Sequence, residues 1–82
     1  MEPMTLIKEA ARRSGTPITH IGLALGKRPN YVNAAMSKGS RPRVDVYASM
    51  LNPCGYVLAA MRAEAVPPSA LVIDPDDAKP SA

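Results

Sequence analysis

Tryptophan and phenylalanine are absent from this chain of 82 residues, and three tyrosines are its only aromatics. The core must therefore be built from Leu, Ile, Val, Met and Ala, without the large buried areas that aromatic rings supply. In one small domain such a core is thin, and association with a second copy is a direct way to bury more apolar surface. The single cysteine, Cys54, excludes an internal disulfide and fits a reducing compartment. It stands between Pro53 and Gly55 with no His and Asp set nearby, so it reads as buried filler and not as a nucleophile. His20 is the only histidine and has no Cys, His or carboxylate beside it, which argues against a metal ligand or a catalyst. There is no P-loop, no GxGxxG, no CxxC and no Ser-His-Asp set, so neither an enzyme nor a cofactor or metal site is expected. No apolar run approaches the roughly 20 residues of a membrane span. The N-terminus, MEPMTLIKEAARR, lacks the basic-then-apolar order of a signal peptide. The expectation is a cytoplasmic protein with no membrane partner.

Acidic residues are scarce in the first half. Residues 1–43 hold eight of the ten basic residues and only Glu2 and Glu9 as acids, a formal charge of +6. Residues 44–82 hold Arg62 and Lys79 against five acids, a formal −3. The overall +3 thus conceals a strongly basic N-terminal half, the half that would hold a polyanion. Asp74, Asp76 and Asp77 form an acid cluster, but they lie in a Pro-flanked segment without a rigid scaffold for paired-carboxylate chemistry.

What the chain does contain is helix punctuation. Thr5 is placed to cap a first helix running to about Ser14 and ended by Gly15. Leu6, Ile7, Ala10 and Ala11 make one apolar stripe on it, while Lys8, Glu9, Arg12 and Arg13 face outward. Thr16-Pro17 is a second helix start, with Ile18, Ile21, Ala24 and Leu25 turned inward and Gly26 as the stop. Gly22 inside that helix costs about 1 kcal/mol against Ala, a cost that a close approach of the next helix would justify. The third helix is expected from about Pro29 to Lys38, closed by Gly39. Pro42 then permits a fourth from about Val44 to Leu51, whose apolar set is Val44, Tyr47, Met50 and Leu51, with Ala48 beside them, broken by Asn52-Pro53-Cys54-Gly55.

The segment from Thr16 to Pro42, TPITHIGLALGKRPNYVNAAMSKGSRP, is the most informative stretch. Two short helices are joined by a tight turn, with Lys27 and Arg28 before the second and Lys38, Arg41 and Arg43 around its end. That is the sequence form of a helix-turn-helix carrying cations where a phosphate backbone passes. Turning Val32, Ala35 and Met36 inward leaves Asn30, Asn33, Ala34 and Ser37 on the exposed face, with Tyr31 at the side. Asn pairs bidentately with adenine, Ser is permissive, and a small Ala34 allows approach to a thymine methyl.

Beyond Cys54, Ala-rich LAAMRAEA has helix propensity of its own. Two short apolar runs around Pro67-Pro68, the second being Ala70–Ile73, argue instead for a hairpin or a pair of strands. The expected architecture is mainly α: residues 1–53 as a four-helix bundle, 54–74 as a strand-forming dimerisation extension, and 75–82 as a disordered tail. Tyr56, Leu58, Leu71 and Ile73 are the expected dimer contacts.

The order of helix, Thr-Pro-initiated helix, Gly turn, reading helix, Lys-Gly-Ser-Arg-Pro and a helix ending in a Cys-Gly-Tyr turn resembles the Cro and C1 repressor family, also called the Xre family. The tail, Gly-Tyr-Val-Leu followed by Pro-Pro-Ser-Ala-Leu-Val-Ile-Asp, is similar to small regulators of actinobacterial prophages and mobile elements. The resemblance spans residues 5–74. It implies a lambda-repressor-like bundle whose third helix enters the major groove of double-stranded DNA, usually as a homodimer on a two-fold site. By position it assigns Asn30, Tyr31, Asn33 and Ser37 to base contacts. Arg28, Lys38, Arg41 and Arg43, joined by Lys27 and Thr19, fall to phosphates. The chain departs from the family where Pro29-Asn30 replace the common Gln or Ser, and where His20-Ile21-Gly22 stand in place of the common Ala after the capping turn. Gly39 and Pro42 also lie one residue closer together than in many members. A transcriptional repressor is the leading expectation. The alternatives are a phage-encoded inhibitor that binds a host defence complex in the manner of an anti-CRISPR protein, and a DNA-binding antitoxin whose Pro-rich C-terminal part binds a toxin.

Overall fold

The computed structural model describes residues 1–74. Four α-helices follow one another: α1 Pro3–Ser14, α2 Ile18–Ala24, α3 Tyr31–Ser37 and α4 Val44–Leu51. A 3-10 turn at Asn52–Cys54 continues α4, and a second lies at Ala63–Ala65.

Helix α1 begins two residues before the Thr5 expected as its cap. Pro3, with its φ preset and no N–H to satisfy, opens the helix, and the Leu6 N–H donates to the Glu2 carbonyl at 3.0 Å. Thr16 likewise does not cap α2. Its hydroxyl accepts from Ser14 Oγ at 3.0 Å and donates to the Pro53 carbonyl at 3.4 Å, tying the α1–α2 corner to the 3-10 turn. Pro29 lies in the turn before α3, and the helix runs only from Tyr31 to Ser37, with Asn30 and Lys38 flanking it. The boundaries of α4 match the sequence pattern.

The core is aliphatic, as the missing Trp and Phe require. Ile7, Ala10, Ile21, Val32 and Met50 are essentially inaccessible, with Leu6, Ala11, Tyr47, Leu51 and Cys54 closing around them. The Tyr47 hydroxyl donates to the Pro3 carbonyl at 2.5 Å, latching α4 to the start of α1. Val44, expected in the apolar set of α4, is 74% exposed. It occupies the first turn, beyond the reach of the core, and Val46 packs against the core instead. Ala24 is also exposed and not inward, because α2 ends there.

Helix α2 packs most closely on α3. Gly22 is buried in this contact. A β-carbon there would collide with the Arg28 carbonyl oxygen and sit 3.1 Å from Cβ of Tyr31. Gly26 and Gly39 end the two helices of this pair in the left-handed region, with φ of 72° and 65°. In each case the residue after the glycine donates back five residues: Lys27 to Gly22 at 2.9 Å, Ser40 to Ala35 at 2.9 Å.

The expected hairpin is not formed: among the described residues there is no strand. The two apolar runs are separated by the Ala63–Ala65 turn and by Pro67-Pro68, which supply no donors to a ladder, and no hydrogen bond joins the runs. The chain instead lies back along the helices. Tyr56, Leu71 and Ile73 pack against the core, and Val72 between the last two is 45% exposed. Arg13 Nη1 donates to the Ser69 carbonyl at 2.8 Å, and the Met1 ammonium pairs with Asp74 at 2.8 Å. The segment 75–82, expected as a disordered tail, lies outside the described residues. No helix among the described residues is long and apolar enough to cross a membrane.

Candidate nucleic-acid interface

The α2–α3 pair carries the residues that sequence reasoning singled out. Its geometry is set by Gly22, which lets the backbone before α3 lie directly on α2. Val32 is fully buried and anchors α3, with Ala35 and Met36 half-buried on the same side. Asn30, Asn33 and Ser37 are exposed, as the helical spacing predicts. Tyr31, the fourth expected base contact, is half-buried, with its ring packed against the core and the Lys27 ammonium 6.0 Å from its centroid. Only part of that ring is free for a groove.

The expected phosphate contacts Thr19, Lys27, Arg28, Lys38, Arg41 and Arg43 are all exposed. No acidic residue stands between Glu9 and Asp45 in sequence. The ion pairs divide the cations further. Glu9 holds both Arg12 and Arg13, the latter at 3.1 Å. Asp45 holds Arg43 at 3.3 Å, and Glu64 holds Arg62 at 2.9 Å. The hydrogen bonds from Arg12, then from Arg13, keep the Glu9 carboxyl down at about 2. Lys27, Arg28 and Lys38 have no acid partner among the described residues. Positive charge without an acid partner therefore stands at the two ends of α3, while on α1 the single Glu9 offsets one of the three charges of Lys8, Arg12 and Arg13. The i,i+3 and i,i+4 spacing of Glu9 from Arg12 and Arg13 makes that pairing legible in the sequence.

The expected dimer contacts separate into two groups. Tyr56, Leu71 and Ile73 are half-buried against the chain's own core, whereas Leu58 is 43% exposed. Val57 and Met61, not singled out by sequence reasoning, are 78% and 57% exposed. With Leu58 and Val72 they are the exposed apolar side chains of this arm, and all four line one pocket that also takes in Leu6, Leu51, Tyr56, Leu71 and Ile73. Alternation along Leu71-Val72-Ile73 carried the signal for Val72, but nothing in the sequence orders Val57 and Met61.

His20 is exposed and Cys54 is buried as a free thiol. Among the described residues no three His, Cys, Asp or Glu side chains come together in a set able to hold a metal ion. Compared with protein-family models, with curated proteins and with solved structures, the chain matches none.

Proposed function

We propose that this protein is a sequence-specific DNA-binding transcriptional regulator, a repressor of phage or mobile-element type, with α3 as the helix that enters the major groove. One observation carries the reading. The exposed face of α3 offers Asn30, Asn33 and Ser37 between cations that no acid among the described residues pairs with, Lys27 and Arg28 at one end and Lys38 at the other. Polar amide side chains flanked by free positive charge match base edges lying between two phosphate backbones. Thr19, Arg41 and Arg43 extend the phosphate-facing surface. A homodimer would use the exposed apolar side chains of the 56–74 arm, Val57, Leu58, Met61 and Val72, because Tyr56, Leu71 and Ile73 are already engaged with the chain's own core. Two copies would then present two short reading helices about one DNA turn apart, roughly 34 Å.

The deciding experiment is binding to the DNA immediately upstream of the protein's own gene, compared with random duplex. Asn33→Ala should weaken binding to the cognate site by about 1–3 kcal/mol while leaving random DNA nearly unaffected. Equal losses on both duplexes would remove Asn33 from the groove. A second reading is supported by the same arm: its exposed apolar side chains suit a protein partner, whether a toxin or a host complex. The absence of Arg and Gln from the exposed face of α3 also favours it. Retention of one host protein by the full chain, with no preference between DNA sequences, would select that reading.

A further inference from the structure

Helix α3 is packed on α2, and α4 on α1 and the 3-10 turn that follows it, so α3 and α4 make little contact with each other. The loop 38–43 joins them, and its Lys38, Ser40, Pro42 and Arg43 line the space between the two helices. The gap is a cleft of about 390 Å³. Ala34 and Ala35 of α3 and Val46 and Met50 of α4 supply its apolar walls, and Lys38 and Arg43 its positive charge. Among the described residues no acidic one lines it. Arg43 does pair with Asp45, but both side chains are largely exposed, 84% and 66%, so a competing anion displaces that pair at little cost. The volume lies in the range of about 300–1,000 Å³ typical of small-molecule sites, and apolar walls with a few charged groups are the usual form of such sites.

We infer that the α3–α4 cleft binds a small amphipathic carboxylate. The apolar body lies against Ala35, Val46 and Met50, and the carboxylate reaches Lys38 and Arg43. Phosphate alone does not satisfy this site, because it leaves the apolar walls uncovered. Neutral hydrocarbon leaves the two cations unmatched. Under the DNA-binding reading Lys38 and Arg43 also face phosphates, so the occupied cleft competes with DNA. That consequence rests on the functional reading, whereas binding in the cleft does not.

The test is a titration of the ¹⁵N-labelled full chain with three probes, sodium octanoate, 1-octanol and sodium acetate, followed by amide shifts. Octanoate should saturate with shifts centred on Ala34, Ala35, Lys38, Val46 and Met50. Octanol should bind about tenfold more weakly, and acetate should not saturate. Lys38→Gln should bring octanoate down to the level of octanol, and Ala34→Leu, which fills the cleft, should abolish the shifts. Equal affinity for octanoate and octanol, unchanged binding in Lys38→Gln, or shifts centred on Tyr56–Ile73 would each overturn the assignment. Lys38 is exposed, so its variant keeps the test decisive even where Ala34→Leu disturbs the fold. In a separate measurement octanoate, but not acetate, should raise the apparent Kd for the upstream DNA. Saturable octanoate binding without that rise would count against DNA contact by Lys38 and Arg43 and leave the cleft site standing.

Discussion

Replacing Gly22 by alanine sets two known effects against each other. In an ordinary helix interior, alanine is favoured over glycine by about 1 kcal/mol. At this position the added methyl would overlap the Arg28 carbonyl oxygen and press on Cβ of Tyr31 at 3.1 Å. The oxygen cannot simply withdraw, because it accepts the Tyr31 N–H at 3.0 Å in the turn that starts α3. Relief requires opening that hydrogen bond, at about 0.5–1.5 kcal/mol, or displacing α3 from α2, with overpacking costs of about 1–3 kcal/mol. The steric cost exceeds the propensity gain, and the variant should be less stable by about 1–2 kcal/mol. For a domain of this size each kcal/mol corresponds to about 4–8 °C in Tm. Ala24→Gly is the internal control. Ala24 is exposed at the last position of the same helix, so that change should destabilise in the ordinary direction by less than about 1 kcal/mol. Urea denaturation of both variants gives the answer. A Gly22→Ala protein as stable as the parent, or more so, would refute the close α2–α3 contact. Because that contact also sets the position of Asn30 and Arg28, Gly22→Ala should weaken DNA binding even at temperatures where the variant is fully folded.

Three further outcomes are expected. The Arg28→Ala/Lys38→Ala double variant should weaken binding to cognate and random DNA alike and reduce the slope of log K against log salt by about two phosphate contacts; an unchanged slope would reject the phosphate assignment. Tyr47→Phe should cost about 1 kcal/mol at neutral pH by removing the bond to the Pro3 carbonyl. Burial pushes the Tyr47 phenol from its ordinary value of 10.0 up to about 12, so its contribution is complete below about pH 10 and is lost as pH rises through about 12. Alkaline denaturation should therefore be steeper for the parent than for Tyr47→Phe across that window. Glu9, whose carboxyl is held down at about 2 by Arg12 and Arg13, contributes above its ordinary value of 4.5 and loses that contribution as pH falls toward 2. Glu9→Gln should flatten the acid limb of the stability curve.

The helices were legible because their signals are local. Gly15, Gly26, Gly39 and Gly55 mark the ends of elements by backbone conformation alone, and the spacing of Leu6, Ile7, Ala10 and Ala11 fixes the buried side of α1. Gly22, costly in a helix, pointed to the close approach that α2 and α3 make. Starts were less legible than stops. Thr5 and Thr16 have the chemistry of caps, yet Pro3 and Pro17, which bring no N–H to satisfy, stand at the positions where the helices begin. The arm was misread for a different reason. Val57, Leu58, Leu71, Val72 and Ile73 have the composition of strands, but composition does not say what a residue packs against. Leu71 and Ile73 find partners on the helices, and with Pro67-Pro68 between the runs no ladder forms. The α3–α4 cleft left no sequence signal, because it depends on how two helices with little mutual contact are placed in space.

The state of association follows from the same division of the arm. A chain without Trp or Phe already uses Tyr56, Leu71 and Ile73 to close its own core. A dimer that took those residues would have to unpack them, together with the Arg13 bond to the Ser69 carbonyl. A dimer built on Val57, Leu58, Met61 and Val72 leaves the monomer intact and covers the largest exposed apolar side chains of the arm. The two arrangements differ in what one charge does. Leu58 is 43% exposed and does not close the core, so Leu58→Asp should convert a dimer into a monomer of nearly unchanged Tm at low concentration. Ile73→Asp strikes the inner side and should destabilise the fold itself. Light scattering at tens of micromolar, read beside thermal melts, separates them. A full-length chain that is already monomeric at that concentration would refute association through the arm, and a Leu58→Asp variant that stays dimeric would place the contact elsewhere.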